Sequence, residues 1–228
     1  MRTSLLALLQ LTDSSFPTGS FAHSFGLETY VQDGLVLDAA TFERLLRAVL
    51  HNGIGRSDAV ATAVCYRAAA TRDLATVAEV DELLSAMKLP EEARQGSMAM
   101  GRQLLRNCRR VFPDDRLDDL HGASTCGDLH GHHASVFGFV AGVVEIGMSE
   151  AVCGFLHAHV LALVSAAVRL VPLGATDAHR VARSVHDDIS QIAEEAADSR
   201  IDDMSAFTPA LDIRSMQHEQ LHARLFIS

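Results

Sequence analysis

The stretch Phe42-Glu-Arg-Leu-Leu-Arg-Ala-Val-Leu50 decides the fold. Its apolar residues Phe42, Leu45, Leu46, Val49 and Leu50 recur at i, i+3, i+4, i+7 and i+8, with Glu43, Arg44 and Arg47 between them. That spacing is one face of a 3.6-residue helix, and such a face has to bury against another element. Ser97, Met100, Gly101, Leu104, Leu105 and Cys108 repeat it, and Val181, Val185, Ile189 and Ile192 form a narrower stripe on one helix. No run of period-two alternation is bounded by hairpin turns. The reading is all-α.

The punctuation agrees. Pro90 with Glu91 and Glu92 marks a helix start, where a missing N–H is harmless and carboxylates favour the helix dipole. Pro113 ends that helix. Ser149-Glu150 opens a long apolar helix, and Gly174 with Thr176-Asp177 separates it from its successor. Pro113 to Gly131, rich in Asp, Gly and His, reads as an interhelix loop. Typical helix and loop lengths then give about ten helices in one bundle domain spanning 1–228.

Composition narrows the classes. With 228 residues, 48% hydrophobic and 21% charged, the chain has enough apolar surface for a substantial core. Tryptophan is absent and aromatics are 5%, which suits helix-on-helix packing. A net charge of -10 repels phosphate backbones and argues against nucleic acid. Cys65, Cys108, Cys126 and Cys153 are far apart, as expected for mostly buried, reduced thiols in a cytoplasmic protein. Leu5 to Leu9 is too short for a signal peptide, and Glu145, Glu150, His157, His159 and Arg169 interrupt the apolar region from Ala134 to Leu170. Core helices are expected there rather than membrane spans.

The chemistry-bearing motifs point away from catalysis. Asp13 or Ser14 caps the return from the first helix, and Phe16-Pro17-Thr18-Gly19 has turn chemistry. Ser20 is placed to cap a helix containing His23, Ser24 and Glu28. Ser24 and His23 are the residue types of a nucleophile and base, but neighbours on a helix point about 100° apart, and no G-x-S-x-G elbow surrounds them. Cys126, Asp128, His130, His132 and His133 are metal-ligand types at a spacing poor for a structural zinc site. They read as a helix-start loop with solvated histidines, and no metal site is assigned. Arg102, Arg106, Arg109 and Arg110 share one helical face, either solvated or a docking strip for an acidic partner. Lys88 is the only lysine and no glycine-rich loop precedes it, which excludes a P-loop. At the end of the chain, Leu225 and Phe226 call for apolar pockets while Arg224 calls for a carboxylate or backbone carbonyls.

Three segments carry a family resemblance. Asp13 to Glu28, Ala167 to Gly174, and His218-Glu219 with Arg224 to Ser228 resemble, in order and from end to end, the urease accessory protein UreF family. The resemblance implies an all-helical, non-enzymatic chaperone without a cofactor. Such a protein binds a UreD/UreH-like accessory protein, recruits the GTPase UreG to apo-urease for nickel insertion, and commonly dimerises in the assembly. Partner-binding residues implied by the match are Phe16, Pro17, Gly19, His23, Ser24, Gly26, Leu27 and Glu28 in the first segment. Arg169, Pro172, Leu173 and Gly174 follow in the second. His218, Glu219, Arg224, Leu225, Phe226 and Ser228 belong to a docking tail at 218–228. Ala175 stands where the family usually has Gln, and Ile227 where it often has a basic residue, which leaves a polar role at either position in doubt. The presumed pathway leaves weak nickel binding by the Cys126–His133 loop open. The alternatives are a GTPase-activating or gating protein using Arg224, or a helical hydrolase using the His and Asp residues between Gly122 and His133.

Overall fold

Asp38 shows how this chain starts a helix. Its Oδ1 accepts from the Thr41 backbone N–H at 2.9 Å, and the Thr41 hydroxyl accepts from the Asp38 N–H at 3.1 Å. This reciprocal cap satisfies donors that the first turn leaves open. Behind it Phe42, Leu46, Val49 and Leu50 are buried, as their spacing requires.

The computed structural model describes residues 2–19, 23–221 and 224–227. Among the described residues there are twelve α-helices and no strand. In order they are α1 (Arg2–Thr12), α2 (Leu27–Gln32), α3 (Ala39–Val49), α4 (Asp58–Thr71), α5 (Leu74–Met87) and α6 (Glu91–Val111). Then come α7 (Asp115–Cys126), α8 (His133–Val143), α9 (Met148–Leu170), α10 (Ala175–Ser184), α11 (His186–Asp198) and α12 (Pro209–His218). A π-helical turn, Leu50–Ile54, follows α3.

The centre is α4 against α8, both buried around most of their circumference. Small residues let them approach. A Cβ on Gly138 would overlap the Thr62 carbonyl of α4, and one on Gly142 would stand 2.6 Å from the Tyr66 carbonyl oxygen. Around this pair α5, α6, α9 and α11 close one continuous apolar core that runs from Leu11 to Phe226. The helix α9 is long and apolar enough to cross a membrane, and half of its most apolar window is buried inside the fold.

Some expectations need correction. The segment Pro113–Gly131 is not a loop, because α7 fills most of it. Asp114 caps that helix at the Arg116 N–H, and Leu117 and Leu120 enter the core while the acidic residues stay outside. The stripe from Val181 to Ile192 is broken at Val185 between α10 and α11. The bend is small, with Val185 at φ -103 and ψ 8, so all four residues still reach the core. His23 and Ser24 lie before the helix rather than on it. Phe25 and Gly26 have φ of 52 and 84, and two left-handed residues in succession delay the start of α2 to Leu27. The capping role expected for Ser20 lies outside the described residues. Of the four thiols, Cys65 and Cys108 are buried, Cys153 is half-buried and Cys126 is exposed.

The loop histidines are corrected too. His132 is fully buried, because Asp81 on α5 anchors its backbone. The Asp81 carboxylate accepts from the N–H groups of Gly131 and His132, each at 2.8 Å, and from the Ser135 hydroxyl at 2.5 Å. A buried carboxylate so placed is matched by the open donors of the α8 N-terminus.

Candidate functional site: a clamped carboxyl-terminal tail

Glu28 comes from the second position of α2 and is only 2% exposed. Its position depends on Gly26, where a Cβ would stand 2.5 Å from Ser215 Oγ and 3.1 Å from Leu211 Cδ1 of α12. The close crossing of α2 and α12 brings the Glu28 carboxylate to His218, the last residue of α12. Glu28 Oε2 is 3.1 Å from His218 Nε2, and Glu92 Oε2 on α6 is 2.7 Å from His218 Nδ1. Ionised carboxylates only accept, so a fully buried ring between two of them either donates from both nitrogens or meets a carboxyl that carries the proton. Either way α2, α6 and α12 are tied at one point.

The tail is bound to the same two carboxylates. Leu225 N–H donates to Glu28 Oε1 at 2.9 Å, and Phe226 N–H to Glu28 Oε2 at 3.2 Å. Arg224 Nη1 donates to Glu92 Oε1 at 2.5 Å. Phe226 is buried, and the Arg169 guanidinium at the end of α9 lies 4.2 Å from its ring centroid. That distance is a cation–π contact.

These contacts gather residues from all three sequence segments: Glu28 from the first, Arg169 from the second, and His218, Arg224 and Phe226 from the third. The others are placed apart. Phe16 and Leu27 are core residues. Pro17 is exposed, and its carbonyl accepts from Asn107 Nδ2 at 2.8 Å. Gly19 is an exposed turn residue with φ 89. His23 packs on Gly96 of α6, one turn beyond Glu92, and burial lowers its pKa while the Glu92 charge pulls it up. Ser24 Oγ accepts from the Glu28 N–H at 3.5 Å, a supporting contact. Pro172 and Gly174 are exposed where α9 turns into α10, Leu173 packs against the core, and Glu219 is exposed. Ser228 lies outside the described residues. Leu225 corrects the expected pair of apolar anchors. Its N–H is bound, but its side chain is 73% exposed, so Phe226 alone is the anchor.

Glu92 was legible only as an acidic residue in a first helical turn. Nothing local pairs it with a histidine 126 positions away. The arginine strip on α6 is partly used internally, since Arg102 Nε donates to the His130 carbonyl and Arg109 Nε to Asp118. Cys126, His130, His132 and His133 do not converge. His130 meets Glu82, His132 is held by two serines, and His133 faces Phe137 and Phe155.

Beneath α12 lies a cavity of about 120 Å³, reached by Asp58, Lys88, His133, His159 and Asp212. The Lys88 ammonium is 2.8 and 2.9 Å from the two Asp58 oxygens, so the one lysine is an internal ion partner. Burial raises the Asp58 carboxyl, but Lys88 and the Ser57 hydroxyl more than offset it and leave it below the usual range. Burial holds His133 and His159 down at about 4.

Known proteins settle what this architecture is. The UreF family model matches residues 36–186. The chain belongs to the UreF family. The urease accessory protein UreF of Paenarthrobacter aurescens (strain TC1) is 38% identical over 223 residues, which cover 98% of this chain and 97% of that protein. UreF of Arthrobacter sp. (strain FB24) is also 38% identical, over 98% of this chain and 96% of its own length. UreF of Bacillus sp. (strain TB-90) is 33% identical over 98% and 99%.

Proposed function

We propose that this urease accessory protein is a non-enzymatic maturation chaperone. It binds a UreD/UreH-like protein and recruits the GTPase UreG to apo-urease, where nickel enters. It does so in the cytoplasm, as one domain of 228 residues with 218–228 as its docking tail, and as a dimer within the assembly. The tail clamp supports this reading. Glu28 holds the tail backbone, Glu92 and Arg169 hold the side chains of Arg224 and Phe226, and Leu225 and Ile227 stand outward at 73% and 64% exposure. Fixed apolar side chains facing solvent suit a partner surface, because little further ordering is needed on binding. Ile227, in place of a basic residue, extends that apolar tip.

The test is Leu225→Asp. Its side chain touches solvent, so far-ultraviolet circular dichroism and the urea midpoint should match the parent protein. Capture of the UreD-like and UreG-like proteins from the same source should fall at least about tenfold, as a charge is forced into an apolar contact. Full capture with normal urease activation would remove the tail from the interface. UreG-like GTP hydrolysis, measured with and without the chain, separates recruitment from activation.

A further inference from the structure

His132 is held on every side. Its N–H is bound by Asp81, its Nδ1 is 3.0 Å from Ser97 Oγ on α6, and its Nε2 is 2.8 Å from Ser85 Oγ on α5. The two serines differ. Ser97 is buried, and its Oγ also accepts from the His133 N–H at 3.3 Å. Ser85 is half-buried and lines an open pocket of about 420 Å³ with Glu82, Arg94, Gln95, Met98 and His130. A hydroxyl facing a pocket, an imidazole behind it and a hydrogen-bonding group behind the ring are the parts of an activated nucleophile. The tail clamp uses none of them.

We propose that Ser85 is a covalent modification site, whose hydroxyl forms an ester with small acyl or phosphonyl donors that carry a good leaving group. His132 is its base and Ser97 a positioning residue. Ser97 Oγ takes the Nδ1–H, so the Nε2 lone pair faces the Ser85 O–H. In the step, Ser85 Oγ bonds to the acyl carbon or the phosphorus and its proton passes to Nε2. The bond to the leaving group breaks with its electron pair, and Nε2 returns the proton to that group. The Arg94 guanidinium, steadied by Nη1 donation to the Lys88 carbonyl at 2.8 Å, and the Gln95 amide are donors at the pocket wall for the oxygen that gains charge. Burial pushes His132 down to about 4, so the ring is in its basic form at neutral pH, and so weak a base gives a slow reaction. The step is a single acylation, separate from the chaperone reading and independent of it.

The experiment treats the full chain at pH 7.5 with a fluorophosphonate probe and, in parallel, with 4-nitrophenyl acetate, followed by intact mass and peptide mapping. One adduct is expected at Ser85, forming roughly tenfold faster than at any other serine. Ser85→Ala should remove it with helix content unchanged. Ser97→Ala should slow it about tenfold with helix content unchanged and the urea midpoint lowered, because the buried Nδ1–H loses its acceptor, and Ser97→Thr, which keeps a hydroxyl, should restore both. No adduct, an adduct that survives Ser85→Ala, or a rate unmoved by Ser97→Ala overturns the proposal.

Discussion

Glu28 is the residue on which the tail depends. It receives Leu225 N–H, Phe226 N–H and the His218 ring in a site that water barely reaches. Removing one member of a buried, hydrogen-bonded charged group leaves its partners without compensation. Glu28→Ala is therefore expected to cost about 3–5 kcal/mol in urea unfolding. It should also expose the bond after Arg224 to trypsin in the folded protein. Glu92 is 20% exposed at its side chain, so Glu92→Ala should cost less, about 1–2 kcal/mol. Leu225→Ala, at a solvent-facing side chain, should stay within about 0.5 kcal/mol of the parent. A Glu28→Ala protein as stable as Leu225→Ala would mean that the clamp does not hold the tail. The motif residues were visible in the sequence, but their partners were not. Turn and cap chemistry is local, whereas Glu28 with His218 and Arg169 with Phe226 are products of the finished fold.

At the scale of elements, α4 and α8 set the spacing of the core. Alanine is a better helix former than glycine by about 1 kcal/mol, so propensity alone would favour Gly138→Ala. Packing decides the other way, because the new methyl would meet α4 backbone at Thr62, which cannot rotate aside. The expected net loss is about 1–3 kcal/mol, read from the urea midpoint. Gly122→Ala on α7 has open space at its Cβ and should instead be neutral or slightly stabilising. Equal effects at the two glycines would contradict the close approach of α4 and α8. The stripes on α3 and α6 were readable because a 3.6-residue period is written in neighbouring residues. The helix α7 was not, since only Leu117 and Leu120 of it are buried and most of the rest resembles a polar loop. The break at Val185 was hidden because the bend keeps the apolar stripe on one side. The delayed start of α2 turns on a left-handed Phe25, which pattern does not signal.

For the whole molecule, α12 joins the cavity to the tail. Thr208, Leu211, Asp212 and Ser215 face the cavity, and His218 at the end of the same helix enters the clamp. Burial holds His132, His133 and His159 each at about 4, against about 6.5 in an unfolded chain. At pH 7.5 and above all three rings are almost wholly neutral in both states and contribute little pH dependence. As pH falls below about 7.5 the unfolded chain gains protons that the fold does not, so stability drops until about pH 4, where the folded rings are protonated too. Each ring then contributes up to about 3 kcal/mol of loss. His133 and His159 are close enough to interact, so the sum is not three times that figure. Asp58, held below its usual range by Lys88, adds its own loss only at lower pH, as the native carboxylate takes up a proton. Urea unfolding at pH 8.5, 7.5, 5.5 and 4.5 should therefore show stability nearly flat over the first interval and falling by at least about 3 kcal/mol over the rest. His159→Phe removes one titrating ring from the cavity wall beside Phe25 and should flatten the acid limb by roughly a third. Because α12 roofs the cavity and ends in the clamp, trypsin cleavage after Arg224 should rise over the same acid interval. An acid limb unchanged by His159→Phe would mean that the cavity histidines are not what acid unfolds.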